Sequence, residues 1–202
     1  MNFPDNFLYA HRITAKWEGG FFNHPNDPGG ATNYGVSLRW LKGEGIDYDF
    51  KLSFPIDHNN DGVIDILDIQ ALTKDQAAEL FYYAFWDRQQ CNQMSRAVAT
   101  VVYDAGVNTG RGQSAKFLQR ACNSLFNANL VADGAIGPKT MAAINSYGNQ
   151  LQLANSALDF RQAFHDQLCD SSPYADGRDF RPFNNGWMNR ANDVRRYIRE
   201  GK

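Results

Sequence analysis

The first segment suited to chemistry runs from Glu18 to Thr32 and combines two carboxylates, a hydroxyl and several glycines. Glu18 follows Trp17 at the end of an apolar stretch and precedes two glycines, so its carboxyl group can lose solvent and stay protonated as a general acid. Asp27 and Thr32 could fold back over it and hold a water molecule for attack on a sugar. Taken alone, the pattern leaves an alternative open, in which Glu18 is a surface residue, Asp27 forms a turn and Thr32 is a cap.

A second set of oxygen-bearing side chains lies in residues 57–68, "DHNNDGVIDILD". Its spacing matches a twelve-residue calcium loop, and Gly62 falls at the sixth position, where the chain must turn sharply. The loop resembles EF-hand and, more closely, dockerin-type loops, and we expect one structural calcium ion; the alternative is an acidic turn without metal. The expected ligands are Asp57, Asn59, Asp61, Val63 (through its carbonyl oxygen), Asp65 and Asp68.

Several side chains could contact a sugar. Tyr83 and Trp86 belong to an aromatic run at helical spacing, where core packing is the default and stacking on a glycan is the alternative. Tyr34 is a further candidate from the glycine-rich segment. Asn108 offers both a donor and an acceptor to an acetamido group, although it could equally end a helix before Gly110.

Helices must position these residues, because apolar residues recur at intervals of three and four along most of the chain. Thr73 and Gln76 form a capping-box pattern at the start of one such helix. Pro138 suits the first turn of another. The predicted helices span residues 5–17, 73–86, 93–106, 111–126, from 138, 149–169 and 187–199. A short hairpin could lie within residues 20–36, so we predict an all-α globule with at most a small β-hairpin near the candidate active site.

Composition restricts the function classes. The 202-residue chain has a net charge of −2, which argues against nucleic acid as an obligatory partner. No stretch is long and apolar enough to span a bilayer, and no signal peptide is visible at the N-terminus. Three cysteines without metal-like spacing are expected to be reduced thiols. From Arg178 to Lys202, seven basic residues face three acidic ones, which favours either contact with anionic envelope polymers or a solvated helix face.

The stretch "EGGFFNHPNDPGGATNYGVS" closely resembles the signature of glycoside hydrolase family 108 muramidases, a group of phage endolysins and secretion-activator proteins. The resemblance continues through "LTKDQAAELFYYAFWD", "VVYDAGVNTGRGQSAKFLQ", "DGAIGPKT" and "GWMNR". It implies a lysozyme-like fold, cleavage of peptidoglycan between N-acetylmuramic acid and N-acetylglucosamine, and Glu18 as the catalytic acid. Similarity to phage lysozymes of the T4 type gives Asp27 and Thr32 the task of managing the attacking water.

The resemblance also sets the expected organisation. We predict one lysozyme-like domain over 1–202, with a catalytic half at 1–92 that contains a calcium-loop insertion at 41–70. Residues 93–202 would form a helical half that resembles a peptidoglycan-binding region. A monomeric endolysin made in the bacterial cytoplasm and acting on the wall in the periplasm or outside is expected. The alternative function is a peptidoglycan-binding or secretion-assisting protein with weak or no hydrolysis.

Overall fold

The computed structural model describes residues 2–23 and 30–201, apart from the side chains of Ile46, Asp49 and Phe50. The chain folds as two compact units, Met1–Arg88 and Gln89–Lys202. This boundary lies close to the predicted division between residues 92 and 93. The all-α, lysozyme-like class with a small hairpin is confirmed, since helices dominate both units and the described residues contain one two-stranded sheet.

The first unit is built around helix α1, Asp5–Trp17, whose buried face carries Phe7, Ala10 and Ile13. The helix ends because Glu18 is extended (φ −89°, ψ 127°) and two glycines follow. Strands β1, Thr32–Asn33, and β2, Val36–Ser37, then form an antiparallel hairpin with Asn33 opposite Val36. Next come α2 (Leu38–Gly43), a 3₁₀ segment (Gly45–Lys51), α3 (Ile66–Ala71) and α4 (Lys74–Phe81).

The predicted capping box at the start of α4 is present, with Thr73 and Gln76 bonded reciprocally. The helix predicted for residues 73–86 changes character at Tyr82–Asp87, which forms a π-helical turn. This turn directs Phe85 and Trp86 into the core of the first unit, where the Trp86 ring meets Phe7 edge-on at 5.6 Å between centroids.

The second unit is a group of helices packed around α8. Ser95 caps α5, and Pro138 occupies the first turn of α7 as expected. The helices are α5 (Arg96–Thr109), α6 (Arg111–Phe126), α7 (Pro138–Ser146), α8 (Gln150–Asp170) and α9 (Asn184–Glu200). Cys91, Cys122 and Cys169 are buried free thiols, as predicted. In the described part of the chain, no helix is both long and apolar enough to cross a bilayer.

Candidate active site

Glu18 lines a cleft of about 600 Å³ in the first unit. One wall comes from a face of α1, which contributes Leu8, His11 and Ala15 at helical intervals. Residues at the start of α4 and Tyr34 in the hairpin turn also line the cleft. The structure therefore brings Glu18 and Tyr34 to one cleft, as a shared catalytic and substrate role requires.

The described chain beyond Glu18 makes contact with the hairpin at Phe22. Phe22 and Thr32 exchange two backbone hydrogen bonds, each 2.8 Å, so the chain after Glu18 is paired with the first strand of the hairpin. Thr32 is half-buried in β1, where its backbone pairs with Phe22, and its expected role with the attacking water stays a prediction. Asp27 lies outside the described residues, and its task of managing water stays a prediction.

Charged and aromatic groups in the cleft include several that the sequence did not single out. Lys74 lines the cleft, and its ammonium group lies 5.9 Å from the centre of the Tyr34 ring. His11 stacks on Phe7, and burial lowers its pKa to about 4, so the imidazole is neutral near pH 7. The helical period of α1 could have identified His11, since it shares a face of the helix with Leu8 and Ala15, which also line the cleft.

Three proposed substrate contacts do not line this cleft. Trp86 is 0% exposed and its ring packs in the core, which corrects the expectation that it lines the glycan groove. Tyr83 is half-buried, with the Lys51 ammonium 5.4 Å from its ring centre, and it does not line the cleft. Asn108 belongs to the second unit, where its Oδ1 accepts a hydrogen bond of 3.0 Å from Arg161. The spacing of the aromatic residues did not show which of them face the core, because helical spacing alone does not reveal which face of a helix meets solvent.

The candidate calcium loop forms a turn that is held by its own hydrogen bonds. Gly62 has a φ of +84°, as the sharp turn requires, and its amide donates to Asp57 at 2.8 Å. Asp61 accepts from the amide of Val63, also at 2.8 Å. Asn59 donates to Asp61 through its side-chain amide at 2.9 Å. The side-chain oxygens at the first, third and fifth positions therefore face the same short stretch of backbone.

Asp65 and Asp68 join this loop to α3. Asp65 caps the helix, and Asp68 completes a capping box with it. Asp68 is 0% exposed, and its two oxygens accept from the amides of His58 and Asp65, each at 2.8 Å. Among the described residues, no three His, Cys, Asp or Glu side chains are gathered closely enough to hold a metal ion.

The loop has the sharp turn at Gly62 that the calcium prediction requires, but its acidic groups hydrogen-bond to the backbone and, among the described residues, are not gathered as a metal site, so calcium binding stays a prediction. Those bonds do not exclude ligation, because each carboxylate oxygen carries more than one lone pair. The loop has a structural task whatever its metal content, since Asp68 fixes the start of α3.

Comparison with known proteins finds two family matches along the chain, which meet near residue 110 and not at the boundary between the compact units. Residues 11–110 match the family described as Glycosyl hydrolase 108, and residues 113–192 match the family described as Predicted Peptidoglycan domain. A solved structure of SagA from Brucella abortus is similar over 95% of this chain and 92% of its own, with 26% identity and a TM-score of 0.69. No curated protein matches the chain. The first match includes Glu18, the second follows it along the chain, and the combination supports a glycoside hydrolase that acts on peptidoglycan.

Proposed function

We propose that the protein is an N-acetylmuramidase that cleaves the bond between N-acetylmuramic acid and N-acetylglucosamine. The observation that carries this proposal is the position of Glu18, a carboxyl group at a helix end that lines a cleft of about 600 Å³. A cleft of this volume falls within the range of ordinary ligand sites. Tyr34 on the hairpin supplies an aromatic ring beside the same space.

In the proposed reaction, Glu18 is the general acid. Its carboxyl proton passes to the glycosidic oxygen as the bond to the anomeric carbon breaks, and a water oxygen bonds to that carbon. The water proton passes to a base, a role that the sequence predicts for Asp27. Glu18 then regains a proton from solvent. The products are one new reducing end and one new hydroxyl, so no oxidant or reductant is needed.

Digestion of purified peptidoglycan tests the specificity directly. Mass spectrometry of the soluble fragments should find N-acetylmuramic acid at the reducing end. Reducing-end N-acetylglucosamine would identify a glucosaminidase instead. Absence of any fragments from the folded protein would favour the alternative, a peptidoglycan-binding or secretion-assisting protein. Delivery as a phage or prophage endolysin is part of the proposal and is tested by lysis after expression with and without a holin.

We also propose that residues 57–68 bind one calcium ion with a structural role. Asp57, Asn59 and Asp61 would contribute side-chain oxygens, Val63 its carbonyl oxygen, and Asp65 and Asp68 further oxygens. A bound cation would offset the repulsion among these carboxylates and stabilise the loop that leads into α3.

Calorimetry and thermal unfolding test the ion separately from hydrolysis. Calcium should bind with one-to-one stoichiometry and stabilise the fold by about 2.7 kcal/mol at a hundredfold excess over Kd. Asp61→Asn should weaken binding, whereas Asp87→Asn, an exposed carboxylate outside the loop, should not. Heat-neutral titration together with a Tm unaffected by chelator would reject the site.

A further inference from the structure

The hairpin beside the cleft turns through two residues that both adopt positive φ. Tyr34 has a φ of 47° and Gly35 a φ of 81°, between β1 and β2. Two-residue turns of this kind match the twist of the strands they join, which makes the hairpin a stiff unit. Glycine adopts such angles without steric cost, whereas tyrosine does not.

The Glu18 side chain lies directly against the backbone of Gly35. A Cβ atom added to Gly35 would stand 2.8 Å from Glu18 Oε2 and 2.9 Å from Glu18 Cβ and Cγ. These separations are shorter than van der Waals contact, so the carboxylate and its stem occupy the room that the missing side chain leaves. The turn therefore supports Glu18 along its length and not at one atom.

The two glycines that follow Glu18 have a different environment from Gly35. A Cβ atom added to Gly19 or Gly20 would meet nothing within 4 Å. Both positions after the helix end therefore border open space, whereas Gly35 lies against the Glu18 side chain. Of these three glycines, only Gly35 in the hairpin packs against the Glu18 side chain; Gly19 and Gly20 do not.

The turn is itself fixed to the rest of the first unit. Asn33, 4% exposed, donates from Nδ2 to the carbonyl oxygens of Ile69 at 3.0 Å and Leu72 at 3.3 Å. These carbonyls end α3, where they have no partner within the helix. On the other side, Thr32 is paired with the backbone of Phe22. The hairpin that contacts Glu18 is therefore held on one side by α3 and on the other by the backbone of Phe22.

We infer that the Tyr34–Gly35 turn is a positioning element that holds the Glu18 carboxyl group in its reactive orientation, with Asn33 as its anchor to α3. The inference rests on the proposed hydrolysis by Glu18. It assigns a function to the Gly35 backbone that involves no contact with the substrate. A rigid turn lowers the number of orientations that the acid can sample, and orientation of a reacting group is a large part of catalysis.

Gly35→Ala tests the inference because a methyl group would displace the carboxylate. We expect kcat to fall by about 10²-fold, the loss typical of a misplaced catalytic group, while KM changes little. The pH profile of kcat should also move, because the surroundings of the acid change. Gly177→Ala is the matched control, since Gly177 has a φ of +83° and an added Cβ would meet nothing within 4 Å. It reproduces the backbone strain without the contact, and its kcat should equal that of the unmodified protein.

A second readout is independent of peptidoglycan cleavage. In protein labelled with ¹³C at glutamate side-chain carboxyls, the Glu18 signal is identified by its loss in Glu18→Gln. Its titration midpoint should move in Gly35→Ala and stay in place in Gly177→Ala. A moved midpoint in a protein that never cleaves peptidoglycan would refute the proposed function and leave the positioning role intact.

Asn33→Ala provides the decisive variant if Gly35→Ala fails to fold. Loss of the two hydrogen bonds to α3 should loosen the turn and lower kcat in the same direction, by a smaller factor, again with a moved Glu18 midpoint. An unchanged midpoint and unchanged kcat in the folded variants would overturn the inference. So would equal losses in Gly35→Ala and Gly177→Ala, because backbone strain alone would then explain both.

Discussion

Glu18, directly after α1 in the first unit, and Asp104, within α5 in the second, are both carboxylates, yet their surroundings differ. Glu18 is half-buried, lines a cleft and lies against a glycine backbone. Asp104 is 0% exposed and bonded to two guanidinium groups, Arg161 Nη1 at 2.6 Å and Arg190 Nη2 at 2.9 Å. A carboxyl group suited to chemistry needs access to substrate, whereas a structural carboxylate needs donors on every side. The contrast is consistent with the proposed chemical role of Glu18 and indicates a structural role for Asp104.

The largest expected effect follows from replacing Glu18. Glu18→Gln keeps the shape of the side chain but cannot donate a carboxylic proton, so kcat should fall about 10²–10⁴-fold with the Tm unchanged. Release of soluble muropeptides measures the loss. Glu44→Gln, an exposed glutamate outside the cleft lining, is the control and should retain full activity. A well-folded Glu18→Gln protein with normal turnover would show that Glu18 is not the catalytic acid, and its contrast with Asp104 would lose its functional meaning.

The next effect concerns stability in the second unit. Asp104→Asn would leave Arg161 and Arg190 buried without their shared anion, and loss of one partner from a buried pair costs about 3–5 kcal/mol. Urea denaturation should record this loss in the free energy of unfolding. Asp159→Asn is the matched control, since Asp159 also pairs with an arginine, Arg195 at 2.7 Å, but is 67% exposed. Its cost should be about 0–1 kcal/mol.

Activity measurements on the same variants sharpen the distinction. Asp104→Asn should retain hydrolysis at temperatures where it stays folded. A folded Asp104→Asn protein that has lost hydrolysis but not stability would give Asp104 a chemical role and reverse the comparison.

Sequence patterns predicted the longer helices but missed the short helices α2 and α3, and they could not locate every side chain. Residues 111–126 were expected as a helix and form one, because a glycine precedes them and an apolar face is regular. The ring of Trp86 was misplaced because the π-helical turn rotates the aromatic run relative to the preceding helix. Glu18 was identified from its neighbours, but its contact with Gly35 depends on a hairpin formed by residues distant in sequence.

The buried ion pairs of the second unit could not be predicted from the sequence either. Asp104 and Arg161 lie on α5 and α8, and Arg190 lies on α9, so only packing brings their charges together. A lone Asp inside an apolar helix gives no sign of which basic residues it will meet. The acidic loop shows the opposite case, since Asp65 and Asp68 were expected as ligands and their spacing also suits the capping box that they form.

Acid should weaken the second unit in two steps. Burial of His165, aided by Arg161, lowers its pKa to about 4, below the ordinary value of 6.5. Because the unfolded chain then binds a proton more readily, stability is present above pH 6.5 and falls between pH 6.5 and 4.

The second step belongs to Asp104. Burial alone would raise its pKa, but Arg190 and Arg161 outweigh that effect and lower it from 3.8 to about 2. Its contribution is therefore present above pH 3.8 and is lost as the pH falls toward 2, on the order of 2 kcal/mol. Urea unfolding at a series of pH values should show both steps. His165→Phe should flatten the upper one, and a slope that persists in this variant would assign it to another group.

The smallest effect is expected at the basic C-terminal helix. Arg195 donates to Asp159, and Arg196 pairs with Asp193, so both charges have partners on the protein. Attraction to anionic envelope polymers remains a proposal, and it would act through the net excess of basic groups and not through one contact.

We expect the combined Arg195→Gln and Arg196→Gln changes to lower binding to purified envelopes only modestly at low salt, with the difference vanishing as salt screens it. Sedimentation of protein with envelopes at several salt concentrations measures this, and Lys139→Gln, an exposed cation on α7, is the control. Equal binding by all three proteins at every salt concentration would identify the C-terminal charges as a solvated helix face. A large, salt-independent loss would instead indicate that the C-terminal helix recognises an envelope component specifically.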